Sequence, residues 1–140
     1  MLARLARWLR LLGADVFFNS SVGGGNLLAR ARAEGRITLT RDKRLRTAPD
    51  AFYLEHHLFR DQLRAVLARF PFDPRREAFT RCSHCNELLA EADRDSLVRR
   101  VPPFVYASQE HFRRCRRCGR IYWSATHLER IRRELDAMGL

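Results

Sequence analysis

Apolar residues recur at helical spacing in the first dozen positions, where Leu2, Leu5, Trp8, Leu9 and Leu12 stand among Arg4, Arg7 and Arg10. That period predicts an amphipathic helix over 2–12, ended by Gly13. A short β run, Asp15-Val16-Phe17-Phe18, follows it. A second helix is expected over 26–34, closed by Gly35, and then a strand Arg36-Ile37-Thr38-Leu39-Thr40. Alternating helices and strands imply an α/β fold with a parallel sheet. A third β-like run from Ala51 to Glu55 precedes a helix over 59–69, in which Leu63, Val66, Leu67 and Phe70 share one side. Pro71 and Pro74 cannot continue that helix, which places a boundary within 71–80. The expected division is an α/β domain over 1–75 and a second domain over 76–140.

Two segments carry alternative readings. The helix over 2–12 is basic and amphipathic enough for a membrane-surface or targeting helix, but its neat end at Gly13 and the strand directly after it favour packing. Residues 19–26, with Gly23, Gly24 and Gly25, form a loop at the entrance of the second helix. Three glycines there suggest a phosphate cradle, yet the lysine and hydroxyl of a P-loop and the spacing of a dinucleotide fingerprint are both missing. A flexible loop is the better reading.

The chain has 140 residues, 46% of them hydrophobic. That suffices for one ordinary domain or two small ones, and excludes a disordered tail or a large multidomain enzyme. Formal net charge is +11, and Lys43 is the only lysine among 27 cationic residues. So much arginine points to a polyanionic partner, nucleic acid first, against the plainer reading of a solvated arginine-rich surface. Both halves share the excess, +7 over 1–80 and +4 over 81–140. No stretch approaches the roughly 18 uninterrupted apolar residues of a membrane span, and the first residues lack a signal-peptide cleavage pattern. A cytoplasmic protein with no membrane partner is expected.

The most specific feature is the cysteine pattern: Cys82-Ser83-His84-Cys85 and Cys115-Arg116-Arg117-Cys118, with 29 residues between the pairs. A two-residue spacer lets both thiolates of a pair face one ion, and two pairs fill the tetrahedral shell of a structural Zn²⁺. Two disulfides, a redox pair or an iron centre are the alternatives. A cytosolic-looking chain with no leftover thiol favours zinc. Gly119 permits the backbone reversal after the second pair, and Ile121-Tyr122-Trp123 follows as a strand, so the segment has the form of a zinc ribbon. Its long spacer requires an insertion, supplied by 88–100 and Val101-Pro102-Pro103. His84 reads as an exposed spacer.

A Zn²⁺ bound to four thiolates carries two negative charges. Arg81, Arg113, Arg114, Arg116, Arg117 and Arg120 surround it in sequence, as compensation for that charge, as a phosphate-contact surface, or as both. Tyr106, Phe112, Tyr122 and Trp123 are either a small ribbon core or platforms for bases. Thr126-His127-Leu128-Glu129 has the form of a capping box for a closing helix with Leu128, Ile131 and Leu135 on one face, and His127 in its first turn reads as structural.

The chain resembles the Mut-seven C-terminal RNase family, a PIN-like domain followed by a zinc ribbon. The resemblance rests on Met1-Leu2-Ala3-Arg4-Leu5-Ala6-Arg7-Trp8-Leu9-Arg10, Leu12-Gly13, Glu34-Gly35-Arg36-Ile37 and Leu39-Thr40-Arg41-Asp42. It continues through both cysteine pairs, Arg100-Val101-Pro102-Pro103, and Gly119-Arg120-Ile121-Tyr122-Trp123 with His127. It implies an α/β PIN-like sheet joined to a zinc ribbon, and RNA cleavage by carboxylates holding Mg²⁺ or Mn²⁺. Asp42 matches the family's acidic position and is the catalytic candidate. From the residues alone it reads as a cap for the turn Lys43-Arg44-Leu45. Arg41 beside it joins Arg113, Arg114, Arg116, Arg117 and Arg120 as a candidate RNA contact.

Family members usually begin with a strand ending in an aspartate just before the pair that is Met1-Leu2 here, and carry acids where this chain has Gly23, Gly24, Gly25 and Asn26. The PIN-like sheet is therefore expected to be truncated at its amino terminus, the native product to be longer, and the acidic site to be depleted. Asp15 begins a strand and reads as a turn residue. Three functions follow: a metal-dependent ribonuclease acting on single-stranded or structured RNA, a non-catalytic RNA-binding or ribosome-associated factor, and a zinc-ribbon module that binds protein. Steep loss of affinity with salt marks the second, salt-insensitive partner capture the third.

Overall fold

The computed structural model describes residues 2–123 and 125–140. Met1 and Ser124, and the side chains of Ala125, Thr126 and His127, lie outside the described residues, and with them the capping role read for Thr126 and the side-chain role of His127. In chain order the elements are α1 (Ala3–Leu11), α2 (Gly24–Glu34), β1 (Thr38–Thr40), β2 (Ala51–Tyr53), α3 (Phe59–Arg69), α4 (Pro74–Glu77), β3 (Ala90–Ala92), α5 (Pro103–Ser108), β4 (Phe112–Arg114), β5 (Ile121–Trp123) and α6 (Ala125–Ala137). Short 3₁₀ turns lie at Lys43–Leu45 and Arg94–Leu97. None of these helices is long and apolar enough to cross a membrane.

Two compact units arise, residues 18–69 and residues 1–17 together with 70–140. In the first, β1 and β2 pair in parallel with Thr38 opposite Ala51 and Thr40 opposite Tyr53. The parallel α/β pattern read from the sequence is present, although each strand is shorter than its β-like run. Leu28 and Ala31 of α2 are buried, as are Leu54 after β2 and Leu63 and Val66 of α3. Helix α2 begins at Gly24 rather than 26, so two of the three glycines lie inside a helix and not in a loop.

In the second unit Leu5 and Leu9 of α1 are almost fully buried, with Leu12 just after it. The Ala14 N–H reaches the Leu9 carbonyl and the Gly13 N–H reaches that of Arg10, satisfying the orphan acceptors of the last turn. Gly13 holds φ +98°, and a Cβ there would sit 2.3 Å from the Glu77 carbonyl oxygen, so both conformation and space demand glycine.

Asp15 to Phe18 does not form the expected strand. Both backbone groups of Val16 are taken by side chains: its N–H donates to Asn86 Oδ1 at 2.9 Å and its carbonyl accepts from Arg10 Nε at 2.8 Å. With donor and acceptor satisfied this way, no ladder is needed.

Strands β3, β4 and β5 form an antiparallel sheet in that order, with Glu91 opposite Arg113 and Arg113 opposite Tyr122. Between β3 and β4 the chain makes the Arg94–Leu97 turn and α5. Leu97, Val101, Val105 and Phe112 pack there into a core of their own. The long spacer between the cysteine pairs is thus a small folded insertion that covers one face of the sheet. Phe112, 1% exposed, meets Trp123 edge-on at 6.4 Å between ring centroids. Tyr106 lies 4.0 Å beneath the Arg94 guanidinium. Burial makes Phe112 a core residue and removes it from the candidate base platforms.

Candidate metal centre

The two cysteine pairs fold into matching knuckles. In the first, the Cys82 N–H donates to the Glu87 carbonyl at 2.8 Å and the Asn86 N–H to the Cys82 carbonyl at 2.9 Å; in the second, Cys115 donates to Arg120 at 2.9 Å and Gly119 to Cys115 at 2.8 Å. The residue after each second cysteine has positive φ, Asn86 at 68° and Gly119 at 76°. Asparagine tolerates the left-handed region better than most residues, which lets Asn86 stand where the other knuckle uses glycine.

No disulfide joins the four cysteines, whose sulfurs lie within 4.8 Å of one another. Cys82 Sγ and Cys118 Sγ are 3.7 Å apart. A disulfide needs about 2.05 Å, whereas the edge of a tetrahedron built on a Zn–S bond of about 2.3 Å is about 3.8 Å. Burial, then the neighbouring Cys118, Cys82 and Cys115 sulfurs, pushes the Cys85 thiol up to about 12. Burial also opposes ionisation of Cys118, but the backbone N–H and guanidinium of Arg120 outweigh it and bring that thiol down to about 6. Four sulfurs this close repel one another's negative charge, and a divalent cation relieves that repulsion. Donor set, spacing and backbone support fit a structural Zn²⁺. Bound there, the ion would cross-link the two knuckles and leave no open coordination position.

Arg10, which helical spacing alone places on a basic helix face, supports this centre. It is 7% exposed, while Arg4 and Arg7 face outward. Its Nη1 donates to the His84 carbonyl at 2.9 Å and to that of Ser83 at 3.3 Å, and its Nε to Val16. Burial lowers its pKa, opposed by the Cys82 and Cys85 thiolates. Asn86 adds a second tie, its Nδ2 donating to Asp15 Oδ1 at 2.7 Å. Helix α1 and the Asp15-Val16 segment are thus bound to the first knuckle by hydrogen bonds. Two signals were present in the sequence: Arg10 falls four residues after Ala6 on the apolar stripe, and Asn86 holds the place of Gly119.

Among the candidate RNA contacts, Arg114, Arg116, Arg117 and Arg120 are exposed around the second knuckle. Arg117 makes a loose ion pair with Glu87 at 3.7 Å, and Arg120 bonds Cys118. Arg113 is half-buried and donates to the Phe79 carbonyl at 2.7 Å, while Arg81 donates to that of Asn86 at 3.0 Å. Arg41, in the unit spanning 18–69, is bound to the His56 carbonyl and to His57 Nδ1. In that same unit Asp42 caps the turn that follows it: its Oδ1 accepts the Arg44 N–H at 2.9 Å, and Oδ2 pairs with the Arg44 guanidinium at 2.7 Å. These bonds hold its carboxyl below the usual range. Among the described residues, the tetracysteine set is the sole group of three or more Cys, His, Asp or Glu side chains placed to hold an ion.

A family model described as the Mut7-C RNAse domain matches residues 1–135, nearly the whole chain. The protein belongs to the Mut7-C RNAse domain family. No curated protein and no solved structure matches it. Membership in the Mut7-C family points to an RNA-related, nuclease-like role, and the tetracysteine set accords with zinc binding by this Mut7-C chain.

Proposed function

We propose that this Mut7-C protein binds RNA, single-stranded, structured or ribosomal, through the arginines around its zinc ribbon. The observation that carries the reading is the exposure of Arg114, Arg116, Arg117 and Arg120 around one metal knuckle. Guanidinium groups contact phosphates in bidentate geometry, and a cross-linked knuckle presents them at little cost in order. Both compact units, residues 18–69 and residues 1–17 with 70–140, are proposed to act on the same RNA.

A metal-dependent ribonuclease is the second reading, favoured by family membership. Against it, Asp42 is engaged by Arg44 and belongs to no set of three or more metal-ligating side chains among the described residues. Mg²⁺ held by one carboxylate relies on substrate oxygens for its remaining ligands. The deciding experiment incubates end-labelled RNA with zinc-loaded protein and Mg²⁺ or Mn²⁺ and measures binding on the same preparation. Binding without a metal-dependent product is expected. A product abolished by Asp42→Asn, with zinc content unchanged, would establish the ribonuclease instead.

A further inference from the structure

We propose that a cavity lined by the Glu91-Arg113-Tyr122 face of the β3-β4-β5 sheet together with Phe79 and Leu128 is a subsite for one unpaired guanine base, an inference that rests on the RNA-binding reading and specifies it. The cavity holds about 320 Å³, near the lower end of small-ligand pockets. Glu91, His111, Arg113, Tyr122 and Trp123 line its wall together with Phe79. Glu91, Arg113 and Tyr122 are cross-strand partners and share one face of the sheet. The opposite face, with Ala92, Phe112 and Trp123, packs against the core of the insertion, and Trp123 reaches the cavity only at the sheet's edge.

The chemistry of the wall selects the base. Glu91 is exposed and only loosely paired, its Oε1 3.5 Å from Arg113 Nε. Arg113 is oriented by its bond to the Phe79 carbonyl. A carboxylate offers two acceptors side by side. Of the four RNA bases only guanine presents two adjacent donors, N1–H and the 2-amino group, on its Watson–Crick edge. The guanidinium complements the guanine O6 and N7 acceptors. The Tyr122 ring beside them, its hydroxyl held at Cys82 and Ser83, supplies a stacking surface of the kind single-stranded RNA recognition uses. Adenine offers no such donor pair, and uracil would set carbonyl oxygens against the Glu91 carboxylate. The same β4-β5 hairpin carries Arg116 and Arg117 at its turn, so phosphate contacts and the base subsite belong to the same unit.

The test titrates zinc-loaded protein with three labelled 12-mers, all uridine or with one central guanosine or adenosine, and separately with free guanosine monophosphate and adenosine monophosphate. About tenfold tighter binding of the guanosine oligomer is expected, falling to parity with the adenosine oligomer in Glu91→Gln, while all-uridine binding stays the same. Binding of free guanosine monophosphate with the same dependence on Glu91, but of no oligomer, would support the guanine subsite and overturn the RNA reading. Oligomer binding with no guanosine preference would overturn the subsite and leave RNA binding standing. Failure of every probe would overturn both.

Discussion

Stripping the metal should unfold the unit containing both knuckles. The zinc-loaded protein is expected to hold one ion per chain, and a strong chelator should collapse hydrogen-exchange protection across Phe112–Arg114 and Ile121–Trp123. The scale of the effect follows from what the metal does. Structural zinc contributes about 10–16 kcal/mol in small zinc-dependent folds, as much as the entire stability of a typical domain, about 5–15 kcal/mol. Strands β3, β4 and β5 are three residues each, too short to stand alone as a sheet. Cys82 and Cys115 are fully buried, so replacing either by serine removes a ligand and leaves a polar group without water. Metal analysis with circular dichroism of the Cys115→Ser protein checks the prediction. Native protection in a metal-free chain would refute it.

Arg10→Leu should be the most damaging single change outside the cysteines. Leucine keeps the helix propensity of α1 and part of the buried volume, but the carbonyls of Val16 and His84 lose their donors. Hydrogen bonds from a charged donor contribute about 1.5–3 kcal/mol each, and these bonds are only partly buried, so a loss of about 2–4 kcal/mol is expected. For a chain of this length that lowers the melting temperature by roughly 10 °C. Faster zinc release should accompany it, because the first knuckle loses the bonds that hold Ser83 and His84 in place. Arg10→Lys should fall between, since one ammonium cannot span both carbonyls. An unchanged melting point with an unchanged release rate would show that Arg10 is a passive core residue.

Local pattern carried much of this molecule. Helix α3 over 59–69 and the parallel pairing of β1 with β2 follow from periodicity and alternation. The cysteine spacing alone brought four sulfurs to one place. What stayed hidden depends on partners distant in sequence. Asp15 to Phe18 has the composition of a strand, but Asn86 and Arg10 satisfy its Val16 peptide groups from 70 and 6 residues away. Strands β3 and β4 are three-residue segments, too short for a period of two to declare itself. Arg10 reads as one more basic residue until the knuckle carbonyls that accept from it are seen. Asp42 shows the converse: its carboxylate caps the next turn, the role that a short-range reading of the residues assigns it.

The central claim is that a zinc-held knuckle presents arginines to RNA phosphates. Its most direct test is the salt dependence of single-stranded RNA binding by the zinc-loaded protein and by a variant with Arg114, Arg116, Arg117 and Arg120 all changed to glutamine. Each phosphate contact on a single strand contributes a slope of about 0.7 in log affinity against log salt. Loss of four contacts should therefore flatten the slope by nearly 3, with the zinc content of both proteins measured alongside because Arg120 also bonds Cys118. An identical slope in the two proteins, or no binding by the wild type at low ionic strength, would contradict it.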